Sequence, residues 1–147
     1  MSDIQLQVGV KALLKNKDGK YLIIRRNPVK YPEAPNRWDI VGGRINIGTP
    51  LLENLKREIK EETNLDLVEE PRLVAAQDIL RLPADEAGVP GRHVVRLTYV
   101  GAIDGEPKLD TEENIEYKWA TLDEIRAIAD MDIYFKELLD KNLIEKI

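Results

Sequence analysis

Three glutamates in one short segment have the spacing of a shared helical face. Within Arg57-Glu58-Ile59-Lys60-Glu61-Glu62, the residues Glu58, Glu61 and Glu62 stand at positions i, i+3 and i+4, which a helix turns to one side. Like charges at this spacing destabilise a helix, and desolvation adds to the cost at the edge of a core. A hard divalent cation would offset both effects, because Mg²⁺ prefers carboxylate oxygens and leaves positions for waters and substrate phosphates. The alternative is a solvated acidic face on a structural protein, with Arg57 paired to neighbouring glutamates.

A glycine pair shortly before this segment favours ligand binding. Gly42-Gly43-Arg44 follows a short predicted strand over 38–41 and leads into a loop. Glycine permits positive φ and close approach of the backbone to a ligand. The loop could therefore turn a carbonyl toward a cation and leave room for phosphate. A glycine pair alone indicates only a tight turn, but strand, glycines, loop and carboxylate-bearing helix together are much more specific.

The carboxylates require a helix, and its ends are marked in the sequence. The helix is predicted over 50–63, with Thr49 as the N-cap and Pro50 at the first helical position. Asn64 suits a left-handed C-cap. A later helix opens at Thr121, where Glu124 completes a capping box, and a final helix is predicted over 133–143.

Strands alternate with these helices. The second strand is apolar throughout and is therefore predicted to be buried on both faces. Asp18-Gly19 marks the hairpin turn before it. The predicted strands are residues 4–14, 21–24, 38–41, 74–82, 93–103 and 115–119. This interleaving indicates an α/β or α+β class in one domain, residues 1–147.

Composition excludes several classes of function. The chain has no cysteine and a single histidine, His93, which excludes a thiol nucleophile, thiolate-bound zinc or iron–sulfur and a histidine-cluster metal site. The net charge of −5 argues against binding a nucleic-acid duplex. No apolar run approaches the roughly 18 residues of a membrane span, and the N-terminus lacks a secretory signal pattern. We therefore expect a soluble, cytoplasmic protein with no membrane partner.

Residues 43–65 resemble the Nudix box. The family pattern is G-x5-E-x7-R-E-U-x-E-E-x-G-U, where U is aliphatic, and seven of the nine specified positions match with unbroken spacing. Residues 38–43 are similar to the strand that enters the box, and residues 117–125 to the late strand and helix of the family. The resemblance covers essentially the whole chain and implies a Nudix-like α/β/α sandwich around a mixed sheet.

The resemblance also implies a reaction. Nudix proteins usually hydrolyse a diphosphate linked to another moiety with Mg²⁺ or Mn²⁺, so a small nucleoside diphosphate-type substrate is expected. By position in the box, Glu58, Glu61 and Glu62 would ligate the metal, the carbonyl of Gly42 would contribute, and Arg57 would orient the carboxylates. Cations of this kind neutralise a diphosphate and generate a nucleophilic water.

The general base is less defined by the pattern. Glu62 could serve, and family enzymes often recruit a carboxylate from outside the box, for which Glu113 and Glu116 are the candidates. The alternative is that residues 110–113 form only a polar turn. A homodimer is possible, since Nudix domains are often dimeric.

Two positions depart from the box. Asn64 replaces glycine, which is a mild change because asparagine tolerates the left-handed conformation. Thr49 replaces the first glutamate and removes a carboxylate near the cluster, so we expect reduced or altered metal use. A catalytically weak or inactive nucleotide-binding regulatory domain is therefore the alternative. A diphosphate isomerase is disfavoured by the absence of cysteine and of further histidines.

Several residues are candidates for binding the rest of the substrate. Arg25, its neighbour Arg26 and Arg44 could bind phosphate bidentately, although Arg25 and Arg26 could instead solubilise an edge strand. Tyr31 and Trp38 could stack on a base, although a tryptophan beside a short strand more often packs in the core. Loops 27–37 and 83–92 are expected to carry selectivity. ADP-ribose, nucleotide sugars, dinucleoside polyphosphates and nucleoside triphosphates all share the diphosphate, so the moiety stays open.

Overall fold

The computed structural model describes residues 4–30, 32, 37–81 and 91–144. The strands are β1 (Gln5–Lys15), β2 (Tyr21–Arg26), β3 (Trp38–Asp39), β4 (Val41–Arg44), β5 (Arg72–Arg81), β6 (Arg92–Ala102) and β7 (Asn114–Ala120). The helices are α1 (Leu51–Thr63), α2 (Leu122–Arg126) and α3 (Ile133–Asp140). Within these ranges no helix has the length and apolar character needed to cross a bilayer.

The described strands form one mixed sheet with β1 near its middle. β1 runs parallel to β6 over its whole length, and its other edge pairs antiparallel with β4 and, at Lys15, with β2. β5 extends the sheet beyond β6, while β3 and β7 pair with β2. Gly9 lies opposite Arg44 on one side and opposite Arg96 on the other. Because of this register, Arg44 of β4, Gly9 of β1 and Arg96 of β6 lie side by side across the sheet.

Two apolar clusters cover the two faces of the sheet. Alternate residues of β1 point to opposite faces, and the clusters divide them accordingly. One cluster contains Val10, Ala12 and Leu14 of β1 with Leu55 and Ile59 of α1. The other contains Leu13 of β1, Ile125 of α2, and Phe135 and Leu138 of α3. With α1 on one face and α2 and α3 on the other, the arrangement is the predicted α/β/α sandwich. β2 is buried on both faces as predicted, since Leu22 and Ile24 belong to the first cluster and Ile23 to the second.

The chain that leads into α1 differs from the sequence prediction. A single strand ending before the glycines was expected, but β3 and β4 are separate and β4 includes both glycines, with Gly42 opposite Lys11 and Gly43 opposite Val10. Gly42 has φ +147°, and a Cβ there would lie 2.1 Å from the Val10 carbonyl oxygen. Glycine is therefore what allows this strand to lie against β1.

The start of α1 also differs. Pro50, not Thr49, occupies the N-cap position, with no side-chain cap hydrogen bond. The fully buried Asn54 joins the first turn to the loop instead, because its amide donates to the carbonyls of Thr49 (2.8 Å) and Pro50 (2.9 Å). Asn64 ends the helix in the left-handed conformation, φ 61°, as predicted. The predicted capping box of Thr121 and Glu124 is also present.

Candidate active site

A cleft of about 700 Å³ opens beside the glycine pair. One wall comes from α1, another from the sheet, and the loop before β7 contributes acidic residues. The cleft brings together six of the residues that the sequence singles out, namely Gly42, Arg44, Glu58, Glu61, Glu62 and Glu113. Residues far apart in the chain thus face one space of a size suited to a nucleotide-like ligand.

Arg57 connects two of the three glutamates to the rest of the site. Its Nη1 donates to Oε1 of Glu58 at 3.0 Å and to both carboxylate oxygens of Glu61 at 3.4 Å. Its Nη2 donates to the Arg44 carbonyl at 3.2 Å and to Oδ1 of Asn54 at 3.0 Å. Because Asn54 is itself bonded to the preceding loop, Arg57 is fixed where it can orient the carboxylates.

Glu62 is the buried member of the three glutamates, with 7% of its surface exposed. Its Oε1 accepts from the Gly42 backbone N–H at 3.3 Å, and its Oε2 accepts from Nδ2 of Asn114 at 3.4 Å. Burial raises the pKa of Glu62 to about 7, and the charges of Arg26 and Lys11 oppose that rise only in part. The ionised form of Glu62 therefore lacks full compensation from the protein.

Glu58 lies against Gly43. A Cβ on Gly43 would lie 2.7 Å from Oε2 of Glu58, so the absent side chain leaves the space that this carboxylate occupies. Burial raises the pKa of Glu58, while the Arg57 guanidinium opposes the rise. Glu61 differs, since 57% of its side chain is exposed. The helix thus presents its carboxylates at different depths of one cleft.

A buried ion pair lies on the floor of the cleft. Nζ of Lys11 is 3.1 Å from Oδ2 of Asp39 and donates to the Ile40 carbonyl at 3.2 Å. Nη2 of Arg26 is 3.5 Å from the same Asp39 oxygen. Although burial opposes it, the charges of Lys11 and Arg26 hold the pKa of Asp39 well below its usual range. Sequence reasoning missed this pair, and the available signal was a lysine within the otherwise apolar run of residues 8–14.

The sheet side of the cleft is basic. Seven cationic side chains line it, Lys11, Arg26, Arg37, Arg44, Arg81, Arg92 and Arg96. Among them, Arg26 and Arg44 are phosphate-binding candidates from the sequence. Arg92, Val94 and Arg96 share one face of β6 because side chains alternate along a strand, and this spacing is a signal that sequence reasoning did not use. Carboxylates and guanidinium groups in one cleft suit a cation and phosphate groups together.

The match to known proteins agrees with this geometry. The NUDIX domain model matches residues 5–141. This chain belongs to the Nudix family. The m7GpppN-mRNA hydrolase NUDT17 of Xenopus laevis is 31% identical over 111 residues, which is 75% of this chain and 37% of that protein. Nudix hydrolase 5 of Arabidopsis thaliana is 33% identical over 60 residues, which is 41% of this chain and 20% of that protein. The chain thus spans about a third or less of the length of these curated relatives.

Solved structures confirm the Nudix fold. The MutT protein from Methanosarcina mazei Go1 superposes with a TM-score of 0.77 at 24% identity, covering 96% of this chain and 95% of that one. A MutT NUDIX hydrolase from Burkholderia pseudomallei has a TM-score of 0.65 at 30% identity, covering 81% of this chain and 85% of that one. The mixed sheet between helical layers is therefore a shared architecture.

Two of the predicted substrate-binding residues of this Nudix domain, Arg25 and Trp38, do not line the cleft that the described residues form. Arg25 is bonded through Nε and Nη2 to Oε2 of Glu116, at 3.0 and 2.9 Å. Arg26, one residue later, lines the cleft instead, because successive strand residues point to opposite faces. Trp38 packs in the cluster under α3, with Nζ of Lys118 5.0 Å from its ring. Tyr31 lies outside the described residues, as does most of the predicted loop 83–92.

The three Nudix glutamates have the chemistry to bind a divalent cation, but their side chains are not gathered around one point. Among the described residues, no three His, Cys, Asp or Glu side chains form a group that could hold a metal ion, and Arg57 is hydrogen-bonded to Glu58 and Glu61. The donor set is nevertheless all oxygen, which Mg²⁺ and Mn²⁺ prefer. Glu62, whose buried charge the protein compensates only in part, is a carboxylate that a nearby cation would stabilise.

Proposed function

We propose that this Nudix domain hydrolyses a diphosphate linkage in a nucleotide or nucleoside diphosphate derivative, using Mg²⁺ or Mn²⁺. The observation that carries the proposal is the single cleft in which Glu58, Glu61 and Glu62 face a wall of cationic side chains. Carboxylates suit a cation and guanidinium groups suit phosphate oxygens. A diphosphate with its bound cation offers this cleft a cation for the carboxylates and phosphate oxygens for the guanidinium groups.

Each residue has a proposed role. Glu58, Glu61, Glu62 and the Gly42 carbonyl would hold the cation, which supplies charge neutralisation and an acidic bound water. Arg57 is a positioning residue, because it bonds to Glu58 and Glu61. A water oxygen forms the new bond to phosphorus, and the bridging P–O bond breaks. The products are a phosphorylated moiety together with phosphate, pyrophosphate or a second monophosphate.

A carboxylate must take the proton of the attacking water, and two are proposed. Glu62 is buried among the metal-binding candidates, whereas Glu113 lies on the loop before β7, lines the cleft and pairs with Lys30. Glu116 is not favoured, since it pairs with Arg25 and does not line the described cleft. If Glu113 is the base, Glu113→Gln removes the acidic limb of the pH profile and leaves metal binding in place.

The test is turnover on a panel of substrates. The protein is incubated with Mg²⁺ or Mn²⁺ and nucleoside triphosphates, nucleotide sugars, ADP-ribose or dinucleoside polyphosphates, and products are identified by mass. We expect the Glu61→Gln/Glu62→Gln double variant to lose at least about 100-fold in kcat. Glu53→Gln is the matched control, because Glu53 is exposed on the same helix and does not line the cleft.

Two results would contradict the proposal. Undiminished turnover by the double variant would show that these glutamates have other roles. Ligand-induced thermal stabilisation without turnover, even in excess Mn²⁺, would instead support the regulatory binding domain. Thr49 motivates that alternative, yet Thr49 does not line the described cleft. A homodimer and a cytoplasmic location remain predictions.

A further inference from the structure

Four arginines form a cluster in the cleft that also contains the glutamates. Arg44 comes from β4, Arg81 from β5, and Arg92 and Arg96 from β6, and all four line the cleft. Arg44 and Arg96 lie opposite the two sides of Gly9, and Arg81 lies directly opposite Arg92. We call these four residues the arginine cluster.

The arginine cluster is poorly neutralised by the protein. Arg96 is 2.7 Å from Oδ2 of Asp132. Within the described part of the chain, the guanidinium groups of Arg44, Arg81 and Arg92 form no ion pair or hydrogen bond, and the buried Nε of Arg92 has no acceptor. Like charges directly opposite each other on paired strands are destabilising. Among the described residues, the fold thus holds four guanidinium groups together and gives a carboxylate partner to one of them, Arg96.

Two features keep the arginine cluster open and ordered. The guanidinium of Arg96 lies 5.1 Å from the centroid of the Tyr134 ring, which fixes it together with Asp132. Gly9 lies between Arg44 and Arg96 and has no side chain. A Cβ at this position would lie 3.7 Å from its nearest neighbour, the Gly43 oxygen, and so would not clash. A larger residue at position 9 would therefore be tolerated by the backbone, but its side chain would fill the space between the arginines.

Arg81 and Arg92 lie directly opposite each other on paired strands, and Arg44 and Arg96 line the same cleft, so the four positive charges repel one another. An anion placed among these groups would relieve their repulsion. Phosphate is the anion that matches them best, because a guanidinium binds two phosphate oxygens at once. A neutral sugar in the same position would leave the repulsion in place.

We infer that the arginine cluster binds a phosphate group of the substrate in addition to the diphosphate that is cleaved. The inference rests on the proposed function, because the glutamates of α1 mark where the cleaved diphosphate lies. The preferred substrates therefore carry at least a third phosphate. It belongs either to a longer phosphate chain or to a phosphomonoester on the attached group.

The first experiment measures binding without turnover. Inorganic tripolyphosphate is titrated into the protein by calorimetry in EDTA. We expect the Arg81→Gln/Arg92→Gln double variant to bind at least about tenfold more weakly, as two charged phosphate contacts are lost. Arg72→Gln is the matched control, since Arg72 is exposed on β5 and does not line this cleft. Equal affinity of the double variant and the control would overturn the inference. Unfolding curves of each variant confirm that the fold is retained.

The second experiment distinguishes the source of the phosphate and separates this inference from the proposed function. kcat/KM is compared for ADP-ribose, a phosphomonoester of ADP-ribose and a dinucleoside tetraphosphate. The wild type should prefer one of the two phosphate-rich substrates by at least about tenfold, and the double arginine variant should lose that preference. An equal decrease on all three substrates would overturn the inference. Absence of turnover together with arginine-dependent tripolyphosphate binding would contradict the proposed hydrolase alone.

Discussion

Replacing Glu62 by glutamine should stabilise the metal-free protein at neutral pH. Glu62 is 7% exposed, and burial raises its pKa from 4.5 to about 7. A carboxyl whose pKa is higher in the folded protein than in the unfolded chain favours folding only while it is protonated. Its contribution is fully present below about pH 4.5 and is lost as the pH rises through about 7. Glutamine stays neutral and avoids this loss.

The expected size follows from the pKa and from one hydrogen bond. A difference of two to three pKa units corresponds to about 3 kcal/mol, at about 1.4 kcal/mol per unit. Nδ2 of Asn114 donates to Oε2 of Glu62. If the glutamine keeps its oxygen toward the Gly42 N–H, its NH2 group would face the Asn114 amide, and two donors would meet. That mismatch costs about 1 kcal/mol. The net gain is therefore about 2 kcal/mol above pH 7, or roughly 4–8 °C in Tm for a chain of this size.

The assay is urea unfolding of wild type and Glu62→Gln in EDTA at pH 5 and pH 8. We expect the variant to be more stable at pH 8 and the difference to shrink or change sign at pH 5. Added Mg²⁺ should raise the Tm of the wild type more than that of the variant, since a ligand stabilises the state that binds it. Glu61→Gln is the control, because its side chain is 57% exposed. A difference that does not change with pH would refute the electrostatic reasoning.

Two further predictions concern the backbone around the glutamates. Gly43→Ala should leave the fold intact, because only the end of the Glu58 side chain must move, and that movement should reduce turnover by at least about tenfold. Gly42→Ala should instead lower the free energy of unfolding by about 2–4 kcal/mol, because its Cβ would meet the backbone of β1 and the residue has positive φ. Thermal unfolding and kcat, measured on both variants, separate these outcomes. Asn64→Ala should lower the free energy of unfolding by about 1 kcal/mol, because alanine disfavours the left-handed conformation, while Asn64→Gly should change it little. Equal losses for the two variants in denaturant unfolding would contradict this prediction.

The helical part of the site could be predicted from the sequence because it is local. The spacing of Glu58, Glu61 and Glu62 fixes their common direction on α1 whatever the rest of the chain does. Their different burial could not be predicted in this way. Glu62 is buried because the Gly42 N–H and the Asn114 amide meet it from other strands, while Glu61 meets mainly Arg57 and solvent.

The sheet side of the site depends on strand phase and register, which the sequence leaves open. Arg25 and Arg26 are neighbours on β2, yet only Arg26 lines the described cleft, because one residue along a strand turns a side chain to the opposite face. The arginine cluster requires more, since Arg44, Arg81 and Arg92 meet only because β1 pairs with both β4 and β6. No spacing within a single segment encodes that pairing. The proposed phosphate-binding cluster therefore depends on the sheet register, whereas the pattern of the three glutamates can be identified on one helix.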